Sequence, residues 1–187
     1  MKKAVLVLLL MGFAFGGQAA EVAGVELPDE ITLADQQSLM LNGAGVRKKF
    51  FLKIYVASLY LKQRSGDARQ IVATDTPKRM QMDMLYSKVA KEKFVEGWNE
   101  GFEANHSAQE LRPLRDRIAQ FNGMFETLVA GDRVLLDYLP GQGTRVTVKG
   151  VEKGVIPGED FNRALLKIWL GESPVTESLK EALLGER

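Results

Sequence analysis

Cysteine is absent from this chain, and histidine occurs once, at position 106. Without thiols there is no disulfide, no thiolate metal site and no cysteine nucleophile. A single imidazole excludes a histidine-rich metal site and leaves His106 alone to serve any Ser-His-Asp relay. That residue stands beside Ser107 in "EANHSAQE", between two helical stretches, where a capping or surface role accounts for it. No G-x-S-x-G elbow or Walker pattern occurs, and "GAGVRKK" lacks the third glycine of a dinucleotide fingerprint. Neither a metal nor a cofactor is implied. Charge of one sign is also missing: 25 Lys and Arg stand against 24 Asp and Glu. A nearly neutral chain has no bulk attraction to nucleic acid or to an anionic membrane.

Long apolar runs are scarce as well. One occurs, Ala4 to Phe15, behind the basic Met1-Lys2-Lys3 and ahead of the small residues "GGQAA". It is short for a membrane span of about 20 residues. It reads as a signal peptide over residues 1–20, cut after Ala19 or Ala20. This predicts export, and an exported chain without cysteine fits a bacterial periplasm. No membrane span remains after cleavage. Residues 21–187 show no repeat, low-complexity segment or linker, so they are read as a single domain large enough for a substantial core.

Periodicity then orders the elements. Following a short lead, Ser38 to Leu41 reads as a strand ending at Gly43 and Gly45, and Phe50 to Lys62 as a long second strand. A turn and a short helix lead to Pro77. In "RMQMDMLY" Met80, Met82, Met84 and Tyr86 alternate with polar residues, a strand signature. Helical spacing follows, with Phe94, Val95, Trp98 and Phe102 on one face and Leu111, Leu114, Ile118, Phe121 and Phe125 on the next helix. "RVLLDYL" and "TRVTVKGV" read as a hairpin, and "VEKGVIPG" as a further short strand. Phe161 to Leu170 is a helix stopped by Gly171, and a last helix starts near Thr176. Strands and helices in separate blocks predict an α+β fold with an antiparallel sheet.

The run Leu41 to Leu61, "LNGAGVRKKFFLKIYVASLYL", carries the candidate site. Ideal alternation puts Phe51, Lys53, Tyr55, Ala57, Leu59 and Leu61 on one face. Arg47 at the entrance and Tyr55 further in, with Lys53 between, could hold an anionic head group on an otherwise apolar wall. An ion pair for Arg47 and a backbone bond for Tyr55 would explain the same residues structurally. The row Met80, Met82 and Met84 reads first as core filling; as an adaptable lining, Met82 and Met84 would enclose an apolar ligand together with Phe94 and Trp98.

"GAGVRKKFFLKIYVASLYL" and "ALLKIWLGESPVTESLKEALLG" resemble the signature regions of the chalcone isomerase-like family, in particular its bacterial exported branch, over about residues 22–186. The resemblance implies an open-faced β-sandwich, a large antiparallel sheet with a layer of helices and a ligand cleft between them. It places the enzyme's arginine at Arg47 and its strand threonine at Tyr55. The enzyme's tyrosine falls near Lys93, its asparagine near Glu100 with Asn99 adjacent, and its late Ser/Thr at Ile168. Of these only the arginine is kept. Fatty-acid-binding members are a closer match, since they pair an arginine with a tyrosine to hold a carboxylate. The resemblance therefore favours a non-catalytic periplasmic binding protein for a fatty acid or similar amphipathic carboxylate. Its alternatives are an isomerase or lyase on a phenolic substrate, and a structural envelope protein whose cleft is filled by its own Phe51, Leu59 and Trp169.

Overall fold

The computed structural model describes residues 19–185, so the signal-peptide expectation falls almost entirely outside the described residues. Eleven strands and six helices alternate in blocks: β1 Ala20–Val22, β2 Val25–Leu27, β3 Glu30–Thr32, β4 Ser38–Lys49, β5 Leu52–Leu61, α1 Ala68–Ala73, β6 Lys78–Met84, β7 Lys88–Val89, α2 Lys91–Asn105, α3 Ala108–Leu111, α4 Arg115–Gly123, β8 Leu128–Val129, β9 Arg133–Leu139, β10 Gly143–Val148, β11 Val151–Ile156, α5 Glu159–Leu170 and α6 Glu177–Leu183. Seven strands form one antiparallel sheet in the order β11-β10-β9-β6-β5-β4-β3. This is the α+β, open-faced β-sandwich architecture expected.

Period-two alternation on β5 and β6 divides the core. Tyr55, Ala57, Leu59, Met80, Met82 and Met84 join α2, α5 and α6 in the main apolar cluster. Val56 and Tyr60 belong to a second cluster, with Leu27, Leu33, Leu39 and Leu41, under the N-terminal strands. The side chains between the methionines are buried too, so Gln81 bonds Asp83 at 2.8 Å and Asp83 accepts from Arg133 at 2.5 Å. A buried polar group is tolerated when it is paired in this way.

Three expectations need correction. β4 does not end at the glycines but runs through them to Lys49. A Cβ on Gly43 would sit 2.2 Å from the Ala182 carbonyl oxygen, and one on Gly45 would sit 2.7 Å from the Ala182 Cβ. The glycines therefore let α6 lie directly on β4. Asn42 secures the contact, donating to the carbonyls of Ser65 at 3.0 Å and Leu183 at 2.7 Å. Second, β5 starts at Leu52, and Phe50 and Phe51 form the hairpin tip instead of a buried strand. Third, the helix through Leu111 and Phe121 is broken at Pro113, which has no backbone N–H and starts a 3₁₀ turn at Arg112–Leu114. At the preceding junction Ser107 and Glu110 make a reciprocal cap, and His106 Nδ1 lies 2.9 Å from the Phe102 carbonyl oxygen.

Lys78 fixes the α1–β6 connection by donating to the carbonyls of Ile71 at 2.9 Å and Thr74 at 2.6 Å. Burial outweighs the nearby Asp75 and Glu159 charges and lowers its amine from 10.5 to about 8. Between those two values the unfolded chain keeps a proton that the folded chain has released, so stability rises with pH across that window. The Tyr55 and Tyr138 phenols act oppositely. Burial raises both above 10.0, so their contribution is intact below that value and is lost as pH climbs past it. The urea midpoint should therefore rise from pH 8 and turn downward above pH ~10. Lys78→Met should remove the rise and keep the alkaline fall.

Candidate functional site

A cavity of about 520 Å³ opens between one end of the sheet and α2. Its walls come from β4, β5, β6, the β7 segment, α2 and the end of α5, with Met82, Phe94, Trp98 and Ile168 supplying apolar surface. The volume lies within the roughly 300–1,000 Å³ of small-molecule sites. A wider groove of about 940 Å³ runs past Asp67, Arg69, Glu110, Lys167 and Lys180 elsewhere on the molecule. The smaller cavity, by contrast, combines apolar depth with a cationic mouth.

Arg47 and Tyr55 are directly opposed in the β4–β5 ladder, which brings both side chains to this cavity. The guanidinium carbon stands 5.8 Å from the centre of the Tyr55 ring, a cation–π distance. No carboxylate pairs with Arg47 among the described residues. The Tyr55 hydroxyl accepts from Trp169 Nε1 at 3.1 Å. That bond uses an oxygen lone pair and leaves the phenolic proton to donate. Burial raises the phenol's pKa, while the Arg47 charge and the Trp169 bond oppose the shift, so the group remains a neutral donor at physiological pH. Trp98 also lines the cavity, and its buried indole N–H has no partner among the described residues. It stacks edge-on against Phe94 at 5.2 Å and Trp169 at 5.6 Å, which holds the rear wall in place.

Five of the seven candidate residues, Arg47, Tyr55, Met82, Phe94 and Trp98, thus meet at one cavity. Lys53 and Met84 do not line it. In the ladder Arg47 faces Tyr55 while Lys48 faces Lys53, so Ile54 is an extra residue on β5. Such a bulge reverses the alternation. Leu52 and Ile54 turn to the cavity and Lys53 is exposed. Met84 is 2% exposed and remains in the main core beside Tyr55.

Lys93, Glu100 and Ile168 line the cavity as well, at the positions where the resemblance puts the enzyme's tyrosine, asparagine and late Ser/Thr. Asn99 is turned away, accepting from Asn122 Nδ2 at 2.8 Å beside a separate groove. Sequence reasoning missed Tyr86 and Lys88, which also line the cavity. Tyr86 continues the methionine alternation, a usable signal; Lys88 belongs to the two-residue β7–β8 pairing, which carries none.

A seven-stranded antiparallel sheet with one face under helices, and a cleft between the layers, defines an open-faced β-sandwich. Residues 19–185 match the chalcone isomerase-like family, and the chain belongs to it. Among solved structures it is similar to an Arabidopsis thaliana fatty-acid-binding protein at 15% identity, with a TM-score of 0.61 over 83% of this chain and 95% of that one. At that identity the likeness is one of fold. No protein with a curated description matches the chain by sequence.

Proposed function

We propose that this chain is a non-catalytic, exported binding protein for a fatty acid or similar amphipathic carboxylate. The observation that carries this reading is an arginine without a carboxylate partner among the described residues, at the mouth of an apolar cavity and directly across from a neutral phenol. A guanidinium offers paired N–H donors that match the two oxygens of a carboxylate, and Tyr55 adds a third donor. The acyl chain would lie along Met82, Phe94, Trp98 and Ile168. Each buried CH₂ contributes about 0.8 kcal/mol, and the head group about 1.5–3 kcal/mol net. Chain length therefore sets most of the affinity, and Arg47 with Tyr55 sets orientation and preference for the acid. The Arabidopsis fatty-acid-binding protein of the same fold supports this choice of ligand. Lys93, Glu100 and Ile168 at the enzyme's remaining positions weigh against an isomerase, and the open cavity weighs against a cleft filled by its own side chains.

Both tryptophans of the chain adjoin the cavity, Trp98 as lining and Trp169 through Tyr55. Titration with a long-chain fatty acid should change their fluorescence saturably, and the matching fatty alcohol should bind at least tenfold more weakly. Tyr55→Phe should weaken the acid several-fold, with little effect on the alcohol, as expected for one lost hydrogen bond. Equal affinity for acid and alcohol would remove the head-group assignment. Export is tested by cell fractionation, which should place the protein, shortened by about twenty residues, in the periplasm.

A further inference from the structure

The β4–β5 hairpin ends in two aromatic side chains held in solvent. Phe50 is 89% exposed and Phe51 88%. Lys49 and Leu52 make the last ladder pair, so the two phenylalanines occupy a two-residue turn. Phe50 adopts φ 57°, a left-handed conformation usually left to glycine, asparagine or aspartate. A bulky aromatic there is strained, and strain of this kind concentrates at functional positions. The tip is also cationic. Arg47, Lys48, Lys49 and Lys53 flank it, and no acidic residue occurs between Asp35 and Asp67. Lys48 and Lys53 face each other across the ladder and are both exposed. Glu96, the acid near Lys49, is engaged by Lys93 at 2.6 Å.

The geometry points to a membrane-docking tip: Phe50 and Phe51 enter the interfacial region of an anionic bilayer while Lys48, Lys49 and Lys53 meet its head groups. Exposed aromatics backed by lysines are the combination that binds such an interface. Two side chains at a turn fall far short of the roughly 800 Å² per partner of a stable protein interface. A second copy would bring the same cations against these ones. The chain's overall neutrality does not oppose docking, because the charge is concentrated locally at the tip. Phe50, Lys49 and Leu52 also line the cavity, so a docked tip would set its mouth at the lipid surface. An amphipathic carboxylate could then pass between bilayer and cavity without crossing water. This transfer step rests on the proposed binding function; docking itself does not.

The test is co-sedimentation with vesicles of phosphatidylcholine alone or with 30 mol% phosphatidylglycerol, using protein beginning at residue 20, which retains every element from β1 to α6. The parent should partition onto the anionic vesicles and be released by salt. Phe51→Ser should lower partitioning about tenfold. Lys48→Gln with Lys53→Gln should lower it about 25-fold, at roughly fivefold per lysine. None of these three residues lines the cavity, so fatty-acid binding measured without vesicles should equal that of the parent. Parent protein remaining in the supernatant, or partitioning unchanged by these substitutions, overturns the proposal, as it would if the tip served a protein partner. Vesicle binding without any fatty-acid binding would uphold docking and remove the binding function.

Discussion

Replacing Arg47 by alanine should weaken fatty-acid binding roughly ten- to a hundredfold, the range for losing a charge-assisted hydrogen-bonded pair. The folded protein should be little affected. Arg47 is only half-buried and has no carboxylate partner among the described residues, so its removal orphans no charge. Arg47→Lys should recover part of the loss, because an ammonium keeps the charge but not the planar fork. The fatty alcohol should bind all three proteins within about twofold, since most of its affinity comes from buried CH₂ groups. Isothermal titration with acid and alcohol separates these effects. A change that falls equally on both ligands would mean that Arg47 only shapes the cavity.

The largest effect on stability is expected at Gly43. Any side chain there meets the Ala182 oxygen at 2.2 Å and the Leu183 oxygen at 2.6 Å, and both are backbone atoms that cannot rotate aside. Gly43→Val should force α6 off β4 and cost about 3 kcal/mol, roughly 6–12 °C in Tm. Gly97, inside α2, provides the contrast. A Cβ at that position meets nothing within 4 Å, so Gly97→Ala should raise stability by up to about 1 kcal/mol through helix propensity alone. Thermal unfolding of the two variants beside the parent checks both signs. Equal Tm values would refute the close approach of α6 to the sheet.

These glycines also mark where sequence reasoning stopped. Read locally, Gly43 and Gly45 mark the end of a strand. Their need for glycine arises from α6, far along the chain, and no local pattern reports such a contact. The methionine row was legible for the opposite reason, since strict alternation determines faces wherever the ladder is regular. That regularity fails at Ile54, and the bulge moved Lys53 out of a site where ideal spacing had put it. The apolar character of Phe50 and Phe51 points to a strand, whereas a two-residue hairpin puts them at its tip. Arg47 and Tyr55 were legible as a pair because strand alternation and the family pattern both single them out, and the ladder sets them directly opposite one another. Trp169 enters the sequence reading only under the self-filled-cleft alternative; its hydrogen bond to Tyr55 depends on the packing of α5 over the sheet.

A crystal structure of the protein with a long-chain fatty acid tests the central claim most directly. It should show the carboxylate within about 3 Å of the Arg47 guanidinium and the Tyr55 hydroxyl, with the acyl chain against Met82, Phe94 and Trp98. Density for the acid lying outside the sheet–helix cavity, or reversed with its carboxylate away from Arg47, would contradict the account.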